Sequence, residues 1–250
     1  MTCLSCRVHF CVFLLVISSC IVQGKKRMLL HSDSDLLQAY HTLNAKVQSM
    51  ESAFAQFQNT KALQGINTYI RWGRTSCPGN GTSTLYSGYA AGSYYSQSGG
   101  AANYLCLPPD PQWGVYEVSV SSGGQVYGAE YELGDSHANG GSSYFGNNLR
   151  DEDAPCAVCS CPRSSVLMIP GRLNCYPGWT KEYSGYLMSG HHAHASATEF
   201  VCVDAHPETL VGGHPDQEGR LFYLVEGICG SLKCPPYING RELTCVVCTK

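Results

Sequence analysis

Charged side chains are scarce in this 250-residue chain: Asp, Glu, Lys and Arg together make up 14% of it, against about a quarter in typical soluble domains. The formal net charge is −3, so no positive field would attract nucleic acid or anionic lipid. A nucleophile elbow (Gly-x-Ser-x-Gly), a zinc-protease motif (His-Glu-x-x-His) and a phosphate-binding glycine loop are all missing from the sequence. We therefore expect neither a nucleic-acid partner nor an enzyme, and no cofactor.

Only one long apolar run is present, HFCVFLLVISSCIV at residues 9–22. It falls short of the roughly 20 residues that a membrane-spanning helix needs. Its length, the preceding Arg7 and the small-residue exit at Gly24 are typical of a secretory signal peptide. The sequence predicts a signal peptide over residues 1–24 and a secreted, extracellular protein without a membrane span. The basic cluster Lys25-Lys26-Arg27 that follows is either a second processing site or a solvated terminus.

Four of the 15 cysteines lie in the predicted signal peptide, so 15 − 4 = 11 remain. The pairs Cys156/Cys159 and Cys245/Cys248 are Cys-x-Val-Cys elements, which could supply a zinc site, a thiol oxidoreductase or disulfides. Secretion favours disulfides, because extracellular cysteines are oxidised. A redox pair would also need a βαβ context, and nothing around either pair has a helical pattern. The cysteines therefore indicate a disulfide framework.

Residues 36–57 carry apolar side chains at alternating steps of four and three, which is the heptad spacing of a coiled coil. The a positions are Tyr40, Val47 and Phe54, and the d positions are Leu36, Leu43, Met50 and Phe57. Helix-starting residues precede them at Ser32–Asp35, and no Gly or Pro interrupts before Gly65. This seam must be buried against something, and the sequence leaves two partners open: another copy of the chain (a homo-oligomer through residues 36–57) or the adjacent domain. The number of chains is not readable.

After Gly65 the sequence becomes rich in Gly, Ser and Tyr between short β-rich runs. Residues 116–133 have the alternation of a hairpin around Gly123-Gly124, and residues 199–204 and 221–226 are typical of further strands. No stretch in this part has a convincing helical period. The sequence predicts an all-β, disulfide-rich region that follows a basic linker and a short amphipathic helix at residues 25–65.

Residues 66–250 contain an internal repeat. Its landmarks recur in one order: a first cysteine (Cys77 and Cys175), the motif YSGY (86–89 and 183–186), a strand cysteine (Cys106 and Cys202) and the Cys-x-Val-Cys pair. The corresponding cysteines are 98, 96 and 89 residues apart. Four landmarks at a nearly constant offset predict a tandem duplication, with a first β repeat at residues 66–165 and a second at 166–250.

Each repeat holds four cysteines, enough for two bridges, and Cys229 and Cys234 would form a local pair. We predict that ten cysteines are in disulfides: Cys77, Cys106, Cys156, Cys159, Cys175, Cys202, Cys229, Cys234, Cys245 and Cys248. Their connectivity stays open, including an exchange of bridges between the repeats. Cys161 is left over, and we predict that it is unpaired or bonded to another chain.

Six motifs run through the repeat region: YIRWGRT (69–75), ANYLCLP (102–108), YGAEY (127–131), APCAVC (154–159), GWT (178–180) and RELTCVVCTK (241–250). Together they resemble the C-terminal non-collagenous domain of the short-chain, spongin-type collagens of sponges and related secreted invertebrate proteins. More distantly, residues 77–89 and 175–186 look like the repeated cysteine-plus-SGY signature of the type IV collagen C-terminal domain, a duplicated, disulfide-linked β fold that trimerises collagen chains. The resemblance covers residues 66–250.

The chain departs from the collagen pattern because it contains no Gly-X-Y tract, which the triple helix requires. Residues 36–57 occupy the place of the collagenous stem. The resemblance implies a non-catalytic structural or adhesive protein of the extracellular matrix, with itself and other matrix proteins as partners. Cys161 is extra to the family pattern too.

Three further kinds of site are candidates: a metal site, a carboxylate site and a glycosylation site. His191, His192 and His194, with His206 and His214 nearby, could bind a metal weakly, but a solvated loop that contains histidines is the favoured interpretation. The paired carboxylates of Glu130 and Glu132 could serve a glycosidase or a calcium site, although an exposed polar strand is commoner. The carboxylates of residues 151–153 could contact calcium, although a solvated acidic turn is the default interpretation. Asn80-Gly81-Thr82 is the only N-glycosylation sequon, in a turn that would expose a glycan.

Two functions follow as hypotheses. The first is a secreted matrix protein that works by self-association and protein contacts. The alternative is a soluble, lectin-like module that recognises carbohydrate or microbial surfaces.

Overall fold

The computed structural model describes residues 33–62, 66–116, 123–133, 141–213 and 216–250, with side chains at 57–62 left out. The predicted signal peptide, the basic cluster after it and His214 lie outside the described residues. The chain divides into two units, Met1–Asn59 and Thr60–Lys250.

The described part of the first unit is a single helix, α1 (Asp33–Ala62), whose last three residues extend into the second unit. Asp33 and Asp35 stand in its first turn, where a carboxylate is favoured by the helix dipole. The sequence prediction of a helix before the β region is confirmed.

The second unit is built from strands, which confirms the predicted all-β, disulfide-rich class. Its described strands are β1 (Asn67–Trp72), β2 (Ser83–Gly92), β3 (Leu105–Leu107), β4 (Tyr127–Tyr131), β5 (Glu152–Asp153), β6 (Pro155–Cys161), β7 (Val166–Pro170), β8 (Thr180–Ser189), β9 (Val201–Asp204), β10 (Arg220–Leu224), β11 (Glu226–Gly227), β12 (Arg241–Glu242) and β13 (Thr244–Thr249). A four-residue helix, α2 (Ser142–Phe145), interrupts them. The sequence pattern did not predict this helix, which is too short to show a period.

The two repeats have the same strand pairing. In the first, β6 lies between β1 and β2, and β2 also pairs with β3 and β4. In the second, β13 lies between β7 and β8, and β8 also pairs with β9 and β10. Even the irregularities match, because one residue bulges from each long strand: Leu85 between Thr84 and Tyr86 in β2, and Glu182 between Lys181 and Tyr183 in β8.

The repeats are joined to each other by strand pairing at two places. Strands β4 and β10 pair in parallel over three residues, and β1 meets β9 at Trp72 and Val203. The pairings therefore close a ring in the order β10-β4-β2-β6-β1-β9-β8 and back to β10. Residues from both repeats consequently share one core.

That core contains two buried clusters. The larger centres on Trp72, Tyr104, Tyr131 and Phe222, and the rings of Tyr104 and Phe222 stack with centroids 4.5 Å apart. Stacking of this kind adds about 0.5–1.5 kcal/mol to the burial itself. The smaller cluster collects Tyr69, Tyr183, Leu187 and several cysteines, so the disulfides are part of the core.

The ten cysteines that were predicted to form disulfides are joined in five: Cys77–Cys159, Cys106–Cys156, Cys175–Cys248, Cys202–Cys245 and Cys229–Cys234. The first two and the next two are equivalent in the repeats, and no bridge crosses between them. At about 2–5 kcal/mol each, the bridges contribute as much as the net stability of a typical domain. Cys161 is free and buried.

The YSGY motif performs the same task in both repeats. Its first tyrosine donates a hydrogen bond to the carbonyl oxygen of the strand cysteine, from Tyr86 to Cys106 and from Tyr183 to Cys202, each over 2.9 Å. The motif thereby ties the long central strand to the short strand beside it, at the point where that strand carries a disulfide.

Of the predicted strands, residues 199–204 hold β9 and residues 221–226 hold most of β10. The hairpin predicted over residues 116–133 is described only in part, because residues 117–122 lie outside the described residues. Its second half is β4, which pairs with β2, β5 and β10.

Candidate functional site

The apolar seam of α1 is exposed along its described length. Its side chains have exposed fractions between 37% at Val47 and 67% at Met50, with Leu36, Tyr40, Leu43 and Phe54 in between. Phe57, the last seam residue, lies in the helix, but its side chain is outside the described set. A continuous row of large exposed apolar side chains marks an interaction surface.

A second surface lies where the repeats meet. The loop after β2 and the equivalent loop after β8 pack together: the Ser196 N–H donates to the Tyr95 carbonyl over 3.0 Å, and the ring centroids of Tyr95 and His194 are 4.6 Å apart. A hydrogen bond to Glu218 raises the pKa of Tyr95 to about 12.

Two equivalent ring pairs flank this contact. Tyr94 packs on Tyr127 with centroids 5.0 Å apart, and His191 packs on Tyr223 at 5.1 Å. Tyr127 and Tyr223 hold the same place in the sheet, opposite the last residue of β2 and of β8. We call these six half-buried rings the aromatic junction: Tyr94, Tyr95, Tyr127, His191, His194 and Tyr223.

Arg220 holds the two loops of the aromatic junction together. Its fully buried guanidinium donates to Ser93 O and Ala102 O of the first loop and to Ser196 Oγ and Ala197 O of the second. It also lies over the Tyr104 ring at 4.7 Å, and burial lowers its pKa. These contacts fix the backbone from which the junction's rings project.

A cleft of about 630 Å³ opens beside the first loop, lined by Ser93, Gln97, Gly99, Gly100, Ala101 and residues 123–126. At its rim the Gln125 side-chain oxygen accepts hydrogen bonds from Gln97 Nε2 and from the Tyr127 hydroxyl, both over 2.8 Å. The cleft thus offers the side-chain amides of Gln97 and Gln125, and the Gln125–Tyr127 hydrogen bond links it to the aromatic junction. Amide groups near aromatic rings can fix the orientation of a ligand by hydrogen bonds and bury its apolar faces.

The three candidate metal-binding histidines form a ring cluster without the arrangement of a metal site. His191 lies with its ring centroid 4.2 Å from that of His192 and 5.2 Å from that of His194. Among the described residues, no three His, Cys, Asp or Glu side chains are grouped so that they could hold a metal ion. Burial and the neighbouring His191 lower the pKa of His194, and its Nδ1 is buried without a hydrogen-bond partner in the described structure.

The paired carboxylates considered from the sequence are not an open pair. Glu130 is 3% exposed, and its carboxylate accepts the backbone N–H groups of Gln217 and Glu218 at 3.2 Å. Glu132 follows the end of β4 and is half-buried. Burial, with the nearby Asp151, raises the pKa of Glu132 to about 7. These carboxylates, and those of residues 151–153, fall within the described region that contains no metal-holding group.

The sequon asparagine is exposed in a turn, as a glycan would require. Asn80 Nδ2 donates to the Lys181 carbonyl oxygen of the other repeat over 2.8 Å, and the Thr82 hydroxyl donates to Pro78. A glycosylated asparagine keeps one N–H on this nitrogen, so the inter-repeat hydrogen bond and a glycan are compatible.

One buried polar network was not predicted. The Glu182 carboxylate accepts hydrogen bonds from the Tyr69 hydroxyl at 2.9 Å, from the Thr249 hydroxyl at 2.5 Å and from Arg163 Nη2 at 2.5 Å. Burial and the bond to Glu182 raise the pKa of Tyr69 above its usual range. In this network Tyr69 lies on β1, Glu182 on β8 and Thr249 on β13, and Arg163 lies between β6 and β7. The hydrogen bonds of the Glu182 carboxylate therefore connect the two repeats.

No helix of the described residues is long and apolar enough to cross a membrane. A comparison with known protein families finds no family model that matches the chain. Among the described residues, we base the functional proposals on the exposed seam of α1 and on the aromatic junction.

Proposed function

We propose that the protein is a secreted, non-catalytic structural or adhesive component of an extracellular matrix, acting through self-association and protein contacts. The observation that carries this proposal is the exposed apolar seam of α1, joined in one chain to a β unit with five disulfides. The seam supplies assembly, and the cross-linked unit supplies a durable contact surface. The resemblance of residues 66–250 to spongin-type collagen domains supports the same role.

Assembly matters because it multiplies weak contacts. Linking modules raises avidity by roughly 10²–10⁴ without any new contact, so a modest surface on the β unit becomes an effective adhesive once several copies are joined. The predicted signal peptide and the sequon at Asn80 support the extracellular setting.

The test is the oligomeric state of the secreted protein, measured by size exclusion with light scattering. We expect an oligomer that Val47→Asp at the centre of the seam converts to a monomer, because a carboxylate there would be buried without a partner. Gln48→Asp, one position outside the seam, is the matched control and should leave the oligomer intact. A strictly monomeric wild-type protein would contradict the proposal.

Carbohydrate recognition is the second candidate, favoured by the aromatic junction and the amide-lined cleft beside it. The test is a glycan array with the purified protein, followed by competition with the free sugar. Saturable, sugar-competed binding that Tyr94→Ala removes and Tyr116→Ala retains would support it, since Tyr116 is a 72% exposed tyrosine outside the junction. An array without competed binding would rule it out.

A further inference from the structure

We propose that α1 assembles with further copies of itself in a parallel, in-register coiled coil, with Lys46 of one copy beside Glu51 of the next. This inference rests on the proposed self-association and adds the direction and register of the helices. The occupant of the exposed seam is thus a second copy of this chain, in one defined orientation.

The argument starts from the positions that flank the seam. With Val47 at a and Met50 at d, Lys46 takes position g and Glu51 takes position e of the same stretch. They are the only Lys, Arg, Asp or Glu residues between Leu36 and Thr60. Charged groups at e and g positions set the partner and orientation in coiled coils.

Within one helix these two charges do not pair. Neighbours on a helix surface are three or four residues apart, whereas Lys46 and Glu51 are five apart and stand on opposite flanks of the seam. In a parallel, in-register pair, position g of one helix faces position e of the following heptad in the partner. That position is Glu51 for Lys46, so opposite charges meet on both sides of a two-stranded seam.

An antiparallel pair would bring g to g and e to e. In the alignment centred between Leu43 and Val47, Lys46 would face the Lys46 of its partner. Shifted by one heptad, Lys46 would face Ala53 and Glu51 would face Asn44. Among these alignments, complementary charges meet only in the parallel arrangement, and one of the antiparallel alternatives opposes like charges.

The parallel direction of the α1 helices has a consequence for function. Every chain in a parallel bundle leaves it at the Ala62 end, after a helix of about 45 Å. All copies of the following β unit are therefore tethered to one end of the bundle. This is the arrangement in which linked modules engage one surface together.

The first experiment is oxidative cross-linking of the full-length secreted protein carrying Leu36→Cys. Position 36 lies near one end of the seam, so parallel helices place the two thiols side by side. The two antiparallel alignments described above separate them by more than about 25 Å along the helix axis. Gln38→Cys, two residues away on the outer face, is the control.

A disulfide-linked species from Leu36→Cys but not from Gln38→Cys is the expected result. An oligomer that Leu36→Cys does not cross-link would overturn the parallel register while leaving self-association standing. A monomer would overturn both, so the two failures are distinguishable.

Charge exchange gives an independent measurement. Lys46→Glu and Glu51→Lys each turn the attraction into repulsion, and each should weaken association roughly tenfold at low salt. The double variant Lys46→Glu/Glu51→Lys restores opposite charges and should recover the wild-type dissociation constant. Singles without effect, or a double variant weaker than either single, would contradict the register.

Discussion

Gly88 and Gly185 occupy the same place in the two YSGY motifs, and each faces a backbone carbonyl oxygen of the neighbouring strand. A Cβ added at Gly88 would lie 1.8 Å from Leu107 O, and one at Gly185 would lie 1.8 Å from Val203 O. Only a residue without a side chain lets the strands approach this closely. The glycine of the YSGY motif is therefore required by the close approach of the two backbones, and this holds in each repeat.

We expect Gly185→Ala to lower the free energy of unfolding by about 3 kcal/mol or more, since backbone atoms cannot give way as a flexible side chain can. Gly128→Ala is the control, because an added Cβ there meets nothing within 4 Å, and it should change stability by less than about 0.5 kcal/mol. Urea unfolding under non-reducing conditions measures both. Equal stability of the two variants would show that the close approach is not needed.

The two bulged residues provide a matched pair. Glu182→Leu installs the residue of the first repeat and leaves Arg163, whose side chain is 18% exposed, without its carboxylate. We expect a loss of about 3–5 kcal/mol, the typical cost of leaving one partner of a buried ion pair uncompensated. The reciprocal Leu85→Glu places a charge at a 58% exposed position and should cost less than about 0.5 kcal/mol. Thermal unfolding of both variants measures the two losses of stability. Comparable losses would contradict the expectation that Glu182 is structurally required and Leu85 is not.

Cys161 was predicted from the sequence to be unpaired or bonded to another chain. Its side chain is 1% exposed, and its thiol lies 3.7 Å from the Arg163 carbonyl oxygen. We expect a maleimide to leave the folded secreted protein unlabelled and to label one thiol per chain in denaturant. A disulfide-linked dimer on a non-reducing gel that Cys161→Ser abolishes would contradict this expectation.

The pKa of Glu132 is raised to about 7 by burial and by Asp151. Between its ordinary value and about 7, the folded state holds a proton that the unfolded state has released. Stability therefore falls as pH rises through that window and is recovered on acidification. We expect this decline in the wild-type melting temperature between about pH 4.5 and about pH 7.

Glu132→Gln should flatten that decline, because the amide does not titrate. The comparison must be made between the two proteins, since the lowered pKa of His194 acts with the opposite sign below its ordinary value. If the melting temperatures of the wild type and the variant changed with pH in the same way, Glu132 would not be the cause of the decline.

Local patterns in the sequence predicted α1 and the duplication. A heptad spacing needs only neighbouring residues, and the order of Cys77, YSGY, Cys106 and the cysteine pair recurs at nearly one offset. The bridge connectivity was not predictable, because four cysteines per repeat allow several pairings.

The aromatic junction was missed for a different reason. Tyr94 and Tyr223 are 129 residues apart, and contacts at that separation leave no local period. One signal was present: Tyr127 and Tyr223 are 96 residues apart, as are Cys106 and Cys202. Extending the repeat alignment beyond the cysteines would have paired these two tyrosines. The buried states of Arg220 and Glu182 had no such signal, because they depend on partners that are distant in the sequence, such as Ala102 for Arg220 and Tyr69 for Glu182.

The disulfide pattern also determines how the β unit carries tension. Between Ile66 and Lys250 the covalent path passes from Cys77 to Cys159 and from Cys175 to Cys248 through sulfur. It leaves 11 residue steps before the first bridge, 16 between the bridges and two after the second. Such a path extends to about 100 Å, whereas the whole segment would pull out to roughly 600 Å. With its disulfides intact, the β unit therefore transmits force through the sulfur bridges at a short maximum extension. Once the disulfides are reduced, the same segment can be pulled out to several times that length.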